Sequence, residues 1–248
     1  MHELRLAVES VTSDEAHISI VIPALNEAES IGHVVGEMPW GRIAECIVVD
    51  NGSTDRTAEI ALVAGARVVT SARGYGAACC TGAEEARASS EIIVFMDGDG
   101  SDLISGLEEL VGPIERGEAD FVIGSRRLGR REAGSMLPSQ VFAGWMVGML
   151  LRATQGVRYT DMGPFRAIRR SSLKRLQMCE MTYGWNLEMQ IKACQCGLRI
   201  REIPVDYRKR IGGTSKVSGD WRASVRAAAR ILEVLFRTGM SRRPGGNR

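Results

Sequence analysis

Short apolar runs alternate with amphipathic stretches through the first half of the chain, and this alternation restricts the fold more than any other feature. Runs rich in β-branched residues predict strands, and the stretches between them, bounded by capping residues and glycines, predict helices. The predicted strands span residues 18–22, 46–49, 67–70, 92–96 and 121–124. Strands that alternate with helices in this way indicate an α/β fold with a mainly parallel sheet flanked by helices.

The predicted helices begin at polar capping residues and end near glycines. Asn26 and Ser53 are interpreted as caps of the first two helices, and Pro23 is expected to end the first strand. In the first half the predicted helices span 27–38, 57–64, 76–89 and 104–116. In the second half we expect helices over 141–154 and 185–196, a strand over 200–207 and a final helix over 221–238.

Composition restricts the class of protein. The length of 248 residues suits one large α/β domain, and 44% hydrophobic residues suffice for a sizeable core. A net charge of +2 gives no reason to expect a nucleic-acid partner. The six cysteines form no CxxC pair and no zinc spacing, which predicts reduced thiols in a cytoplasmic protein. The charged N-terminal segment is unlike a signal peptide, and no run of about 18 apolar residues predicts a spanning helix.

Acidic residues follow three of the predicted strands. Glu27 comes after the first strand and Asp50 after the second, whereas Asp97 and Asp99 come directly after the fourth. In a parallel sheet these strand ends lie at one edge, where α/β proteins bind ligands. Two carboxylates one residue apart repel each other unless a cation lies between them, and oxygen ligands favour Mg²⁺ or Mn²⁺. An acidic surface turn would carry the same residues, so the motif alone leaves both interpretations open.

The order of the motifs resembles a known family. The segments VIPALNEAESI, IVVDNGSTDRT, ARGYGAACCTG and FMDGDGSD are similar to those of family 2 glycosyltransferases of the GT-A fold. The later segments GSRRLGR, TDMGPFRAIRR and YRKRIGGTSK resemble the polyprenyl-phosphate (dolichyl-phosphate) sugar synthase branch. The resemblance implies a GT-A domain, Rossmann-like, over residues 18–220. It also implies an inverting transfer of a hexose from a UDP- or GDP-linked sugar to polyprenyl phosphate.

The resemblance assigns the donor site to four groups of residues. The nucleotide would contact Pro23, Leu25, Glu27 and Asp50. Asp97 and Asp99 would hold Mg²⁺ or Mn²⁺ on the diphosphate, with Asp99 as a catalytic residue. A basic loop would close over the phosphates, and its residues are Arg208, Arg210, Ser215 and Lys216. Ser101 stands where many relatives have Gln, so this chain departs from the family pattern beside the expected metal ligands.

The acceptor site is implied by arginines in the second half. Arg126 is the first candidate to hold the acceptor phosphate and to act in catalysis, with Arg131 and Arg166 as further candidates. A phosphate monoester, with its second pKa of about 6, is largely dianionic near neutral pH and needs no protein base. For a hydroxyl acceptor, Glu188 would be the catalytic base. Arg166 and Glu188 could instead lie on the exposed faces of helices.

The two ends of the chain are predicted to lie outside the catalytic domain. Residues 1–17 are predicted to be a flexible N-terminus, and residues 241–248 a disordered tail. The helix over 221–240 is basic and amphipathic, so it could lie on a membrane surface or pack against the domain. We therefore expect a cytoplasmic enzyme with peripheral contact to the membrane or to a membrane subunit. The alternatives are a transferase for a soluble or lipid hydroxyl and a non-catalytic subunit that binds nucleotide sugars.

Overall fold

The fold is seen in a computed structural model. It describes residues 17–136, 144–146, 148–149, 151–153, 156–157 and 159–212, together with Glu233 and Arg237. The predictions for residues 1–16, Ser215, Lys216 and the tail therefore lie outside the described residues, as does nearly all of the predicted final helix. The described residues between 144 and 153 are helical, in agreement with the prediction there.

A single sheet forms the centre of the molecule, and it has seven strands among the described residues. The strands are β1 (Ile18–Ala24), β2 (Glu45–Asp50), β3 (Arg67–Thr70), β4 (Ile92–Phe95), β5 (Phe121–Ser125), β6 (Arg166–Arg169) and β7 (Ile200–Pro204). Their order across the sheet is β3-β2-β1-β4-β6-β5-β7. Every pairing is parallel except those of β6, which runs antiparallel to both of its neighbours. The predicted mainly parallel sheet is confirmed.

Helices cover both faces of the sheet. They are α1 (Ile31–Gly36), α2 (Thr57–Val63), α3 (Tyr75–Glu85), α4 (Leu107–Glu115), α5 (Arg170–Leu176) and α6 (Trp185–Gln195). One buried apolar cluster joins α1, α2 and α4 to the first face, and a second joins α3, α5 and α6 to the other. The strand side chains alternate between the two clusters, since β1 contributes Ile20 to the first and Val21 to the second.

The first strand and the first helix differ from the prediction. Pro23 does not end β1, because the strand continues to Ala24 and Pro23 pairs with Val49. Its missing N–H faces the β4 side, where the paired register ends at Val21, so no ladder hydrogen bond is lost there. Helix α1 begins at Ile31 rather than at residue 27. Asn26 adopts a positive φ of 51° in the preceding loop and does not cap the helix.

Strand β6 was not predicted. The alternative interpretation of Arg166 as a residue on an exposed helix face is wrong, since it lies in this strand with no exposed surface. Four residues are too short for a periodicity to show, and only the packing between β4 and β5 gives the segment its extended form. Helix α5 follows at Arg170.

Close packing of α3 on the sheet yields a test of the fold. A Cβ atom added at Gly82 would lie 2.3 Å from Val21 Cγ1 and 2.9 Å from Val49 Cγ2. Overpacking of this kind costs about 1–3 kcal/mol, so Gly82→Ala should lower the free energy of unfolding by that amount. Urea denaturation followed by circular dichroism measures it.

A matched control is Gly36→Ala in α1. In the described part of the chain no atom lies within 4 Å of a Cβ added there. The change should raise the free energy of unfolding by about 0.5–1 kcal/mol through helix propensity. Equal effects of the two substitutions would contradict the packing of α3 against β1 and β2.

Candidate active site

The carboxyl ends of β1, β2 and β4 meet at one edge of the sheet. Ala24, at the end of β1, pairs with Asp50, at the end of β2. On the other side of β1, the Met96 amide donates a hydrogen bond to the Val21 carbonyl at 3.2 Å. The structure therefore brings to this edge the residues that were assigned to the nucleotide and the metal: Pro23, Leu25, Glu27, Asp50, Asp97 and Asp99.

The loops after β1 and β2 are tied to each other. The Asn26 amide donates to Ser53 Oγ at 3.0 Å, and the Thr54 amide donates to Asn26 Oδ1 at 2.8 Å. The Glu27 amide donates to Thr57 Oγ1 at 2.8 Å. Asn26 and Ser53 thus join two loops, whereas the sequence indicated that each caps its own helix.

A third loop is held by Asn51. Its side chain donates to the Gly74 carbonyl at 2.6 Å and accepts from the Gly74 amide at 2.8 Å. Helix α3 starts at the next residue, and the Tyr75 hydroxyl donates to Asp97 Oδ1 at 3.3 Å. The loops after β2 and β3 are thereby fixed against the turn that carries the acidic residues. No sequence pattern indicated this role for Asn51.

The turn after β4 holds three carboxylates. Asp97 is half-buried, and Asp99 and Asp102 are buried. Asp99 Oδ1 accepts a hydrogen bond from the Ser101 amide at 2.9 Å and another from the Ser101 hydroxyl. Asp102 Oδ2 accepts from the Asp97 amide at 3.1 Å, while Asp102 Oδ1 has no hydrogen-bond partner among the described residues.

The electrostatics of this turn fit a divalent cation. Burial and repulsion from Asp99 and Asp102 raise the pKa of Asp97 well above its ordinary value. Burial, with repulsion from Asp99, raises the pKa of Asp102 to about 7 despite the Asp97 amide. A positive ion would relieve both effects. Among the described residues no group of three or more acidic, histidine or cysteine side chains forms a complete metal site. A cation here would need oxygen atoms from a ligand as well, as is usual for Mg²⁺ on phosphates.

A basic segment lies against the acidic turn. Arg210 Nη2 forms an ion pair with Asp99 Oδ2 at 2.9 Å, and the Ile211 amide donates to the Asp99 carbonyl at 3.0 Å. Arg208 Nε donates to the Gly100 carbonyl at 2.5 Å, and its Nη2 lies 2.8 Å from a Glu37 carboxylate oxygen. A cationic side chain therefore already faces the expected metal ligand.

Arg126 forms a buried ion pair that the sequence did not indicate. Its Nε and Nη2 donate to the two carboxylate oxygens of Asp161 at 2.7 and 2.8 Å, and its amide donates at 2.9 Å. The guanidinium also lies over the Tyr207 ring, 5.1 Å from its centroid. Burial acts against the charge of Asp161, but the hydrogen bonds and charge of Arg126 outweigh it and lower the pKa of Asp161.

The other predicted acceptor residues have different surroundings. Arg131 is exposed and forms an isolated β-bridge with Tyr207. Arg166 is fully buried, where it donates to the carbonyls of Gly163 and Asn186. Inside the fold its guanidinium also lies over the Phe121 ring, 5.9 Å from the ring centroid.

Glu188 is buried on α6 rather than exposed. It accepts hydrogen bonds from the amides of Cys179 and Glu180 at 3.0 and 2.7 Å, and Lys192 Nζ lies 3.1 Å away. Burial acts to raise the pKa of Glu188, but these hydrogen bonds lower it on balance. A carboxylate held in this way is a weak proton acceptor.

Comparison with known proteins places this architecture in a family. The family described as "Glycosyl transferase family 2" matches residues 19–177. An uncharacterised glycosyltransferase of Mycobacterium tuberculosis is 37% identical over 220 residues, covering 88% of this chain and 97% of that protein. An undecaprenyl-phosphate mannosyltransferase of Micrococcus luteus is 28% identical, covering 80% of this chain and 86% of that protein.

A solved structure is also similar. Glucosyl-3-phosphoglycerate synthase from Mycobacterium tuberculosis, in complex with Mn²⁺, UDP-glucose and phosphoglyceric acid, has a TM-score of 0.68 and 25% identity. The match covers 89% of this chain and 80% of that one. None of the helices that the structure describes has the length and apolar character needed to cross a bilayer.

The buried pair of Arg126 and Asp161 should dominate the stability of this region. Asp161→Asn leaves the buried guanidinium uncompensated, which should cost about 3–5 kcal/mol of unfolding free energy. The lowered pKa of Asp161 means that its contribution is present above the unfolded pKa of about 3.9 and is lost as the pH falls through the lower folded value. The difference between wild type and variant should therefore be constant from about pH 7 to pH 5 and shrink below about pH 4.

Urea denaturation at each pH measures the free energy of unfolding, and Asp120→Asn is the matched control. Arg199 donates to Asp120 through its amide, Nε and Nη2, as Arg126 does to Asp161. The Arg199 side chain is 55% exposed, however, so water screens the pair and its loss should have a much smaller effect. Equal losses of unfolding free energy in the two variants would contradict the prediction, because they would show that burial does not strengthen the Arg126–Asp161 pair.

Proposed function

We propose that this chain, which belongs to glycosyl transferase family 2, transfers a hexose with inversion from a UDP- or GDP-linked sugar to polyprenyl phosphate. The chain is a glycosyltransferase of the GT-A fold. The observation that carries the proposal is the acidic turn of Asp97 and Asp99 at the carboxyl edge of the sheet, with Arg210 already against it. The similarity to an undecaprenyl-phosphate mannosyltransferase supports the choice of acceptor.

The donor lies across the loops after β1, β2 and β4 in this proposal. Pro23, Leu25 and Glu27 flank the base, and the Asp50 carboxylate accepts hydrogen bonds from the base or the ribose hydroxyls. Asp97 and Asp99 hold Mg²⁺ or Mn²⁺, which would supply a Lewis acid to the diphosphate. The complex of the similar glucosyl-3-phosphoglycerate synthase with Mn²⁺ and UDP-glucose supports this assignment.

The basic segment faces the leaving group. Arg210 pairs with Asp99. When the diphosphate binds, Arg210 is released to the phosphate oxygens and stabilises their negative charge through charge-assisted hydrogen bonds. Arg208 holds the segment in place through Gly100 and Glu37. Ser215 and Lys216 continue the same segment in sequence and are assigned to the phosphates by family resemblance.

The acceptor phosphate attacks the anomeric carbon directly. A bond forms between its oxygen and C1 while the bond from C1 to the diphosphate oxygen breaks, and the nucleoside diphosphate leaves with the electron pair. Arg126 uses Nε and Nη2 for Asp161, which leaves Nη1 to donate to the acceptor phosphate. Exposed Arg131 adds positive charge at the entrance. Arg166 supports this region from inside the fold through main-chain carbonyls.

Asp99→Asn tests the metal assignment. The amide keeps the shape of the side chain but loses the negative charge that binds the cation. Turnover should fall by about 10²–10³-fold, which corresponds to the loss of several kcal/mol of transition-state stabilisation. The measurement is transfer of radiolabelled hexose from the nucleotide sugar across a Mn²⁺ titration.

The control for this variant is Glu59→Gln, which removes an exposed acid on α2 that pairs with Arg56. It should retain wild-type turnover. Thermal unfolding of both variants checks that the fold is intact. Full activity and an unchanged Mn²⁺ dependence in the Asp99→Asn enzyme would refute the site.

Glu188→Gln tests whether the acceptor is a phosphate. Removal of a general base costs about 10²–10⁴-fold in rate, whereas a phosphate nucleophile needs no base. We expect turnover with polyprenyl phosphate to change by less than about threefold, far below that range. The melting temperature should fall, because Gln replaces a carboxylate that accepts two buried amide hydrogen bonds.

The assay is run with polyprenyl phosphate, polyprenol and phosphoglyceric acid side by side. Phosphoglyceric acid is included because the similar synthase binds it. Transfer to polyprenyl phosphate alone supports the proposal. Transfer to polyprenol or phosphoglyceric acid that is abolished by Glu188→Gln would instead establish a hydroxyl acceptor.

A further inference from the structure

One buried carboxylate of the second half takes no part in the proposed reaction. Glu180 lies in the loop between α5 and α6 and has no exposed surface. Its Oε1 accepts hydrogen bonds from the Thr182 amide at 3.1 Å and from the Thr182 hydroxyl. Burial of a charged carboxylate is costly unless a positive charge compensates it, so the partner of Glu180 has a structural purpose.

A positive charge reaches Glu180 from near the end of the chain. Arg237 Nη2 lies 3.2 Å from Glu180 Oε2. The two side chains differ in exposure, because that of Glu180 is fully buried whereas that of Arg237 is 44% exposed. The Arg237 guanidinium therefore contacts the catalytic domain while part of its side chain remains in water.

The surface around Glu180 is built on the first turn of α3. The Ala77 amide donates to the Met181 carbonyl at 3.0 Å. A Cβ added at Gly76 would lie 2.2 Å from the Glu180 carbonyl oxygen, so the loop and the helix are in close contact. Met181 and Tyr183 are 39% and 53% exposed. The Glu180 surface, formed by Glu180, Met181 and Tyr183, thus combines a buried charge with partly exposed apolar side chains.

The charges near Arg237 favour this protein surface over a membrane. The predicted final helix over 221–238 is basic and amphipathic, and both Glu233 and Arg237 are helical. Residues four apart in a helix lie on one face, so the face that carries Arg237 also carries an acid. An anionic lipid surface attracts arginine but repels glutamate. A protein surface with polar groups of both kinds accommodates both residues.

We propose that the predicted final helix docks on its own catalytic domain at the Glu180 surface, with Arg237 as the anchor, and not on a membrane. Docking compensates the Glu180 charge and holds the loop after α5 against the first turn of α3. Tyr75, whose hydroxyl donates to Asp97, belongs to that turn. The docked helix therefore supports the carboxyl edge of the sheet from outside. The inference does not depend on the proposed transfer reaction, because Glu180 and Arg237 take no part in it.

A double-mutant cycle in the full chain tests the anchor. Arg237→Gln removes the positive charge that faces buried Glu180, and the melting temperature should fall by about 5 °C. Glu180→Gln leaves the partly exposed Arg237 in contact with water, so the melting temperature should change by less than about 2 °C. In the Glu180→Gln background, Arg237→Gln should have almost no further effect. Thermal unfolding followed by circular dichroism measures all four proteins.

Hydrogen exchange measured by mass spectrometry shows whether the effect is local. Arg237→Gln should speed amide exchange by about threefold or more in peptides that cover residues 179–184 and the first turn of α3. Peptides from α2 should be unchanged. Arg175→Gln is the matched control, because it removes another exposed arginine, one that donates to the Cys196 carbonyl. It should leave exchange in residues 179–184 as in the wild type.

Vesicles of phosphatidylglycerol distinguish docking from membrane contact. If the helix is docked, Arg237→Gln releases it, and the variant should bind vesicles more tightly than the wild type although it has one positive charge fewer. If Arg237 instead faced lipid, its loss would weaken binding by about fivefold. Sedimentation with vesicles at a fixed salt concentration measures the binding.

Three results would overturn the proposal. An equal fall in melting temperature for Arg237→Gln in the wild-type and Glu180→Gln backgrounds would show that Glu180 is not the partner of Arg237. Wild-type exchange rates over residues 179–184 in the folded Arg237→Gln protein would show that the helix does not hold this loop. Weaker vesicle binding by the same variant would place Arg237 on the lipid.

Discussion

Three carboxylates within one short turn are the constraint on which the rest of the site depends. Asp97, Asp99 and Asp102 lie at the end of a buried strand, where water cannot screen their repulsion well. The protein meets this repulsion with backbone amides, the Tyr75 hydroxyl and the guanidinium of Arg210. A cation bound with a diphosphate would reduce the same repulsion between the carboxylates. The repulsion that affects the stability of the turn is therefore also what favours the proposed metal binding.

The second half of the chain supplies positive charge to this edge in two different ways. Arg210 approaches from an extended segment that hydrogen-bonds along the acidic turn through main-chain groups. Arg126 is held by Asp161 in a buried bidentate pair, with Tyr207 against its face. The first arrangement leaves a cation free to exchange partners when a ligand binds. The second fixes a guanidinium at a defined place, as recognition of a phosphate requires.

Much of the architecture could be predicted because it depends on local pattern. Alternating apolar runs and helical stretches indicated β1 to β5 and the helices between them, and the acidic residues after β1, β2 and β4 indicated one edge of the sheet. The prediction failed where the pattern is short or the partner is distant. Strand β6 has four residues and an Arg at each end, so nothing local distinguishes it from a helix face. Asn26 is a residue type that often caps helices, but here it joins two loops.

The sequence by itself therefore determined the α/β class, the parallel sheet and the concentration of carboxylates after β4, because each follows from residues that are neighbours along the chain. Only the tertiary structure decided which cations face those carboxylates. Arg210, which pairs with Asp99, belongs to a distant segment of the chain, and Arg208 of the same segment is 108 residues from its partner Gly100. It also decided that Arg166 and Glu188 are buried. Burial and pairing depend on which elements pack together, and an isolated Arg or Glu carries no local sign of its partner.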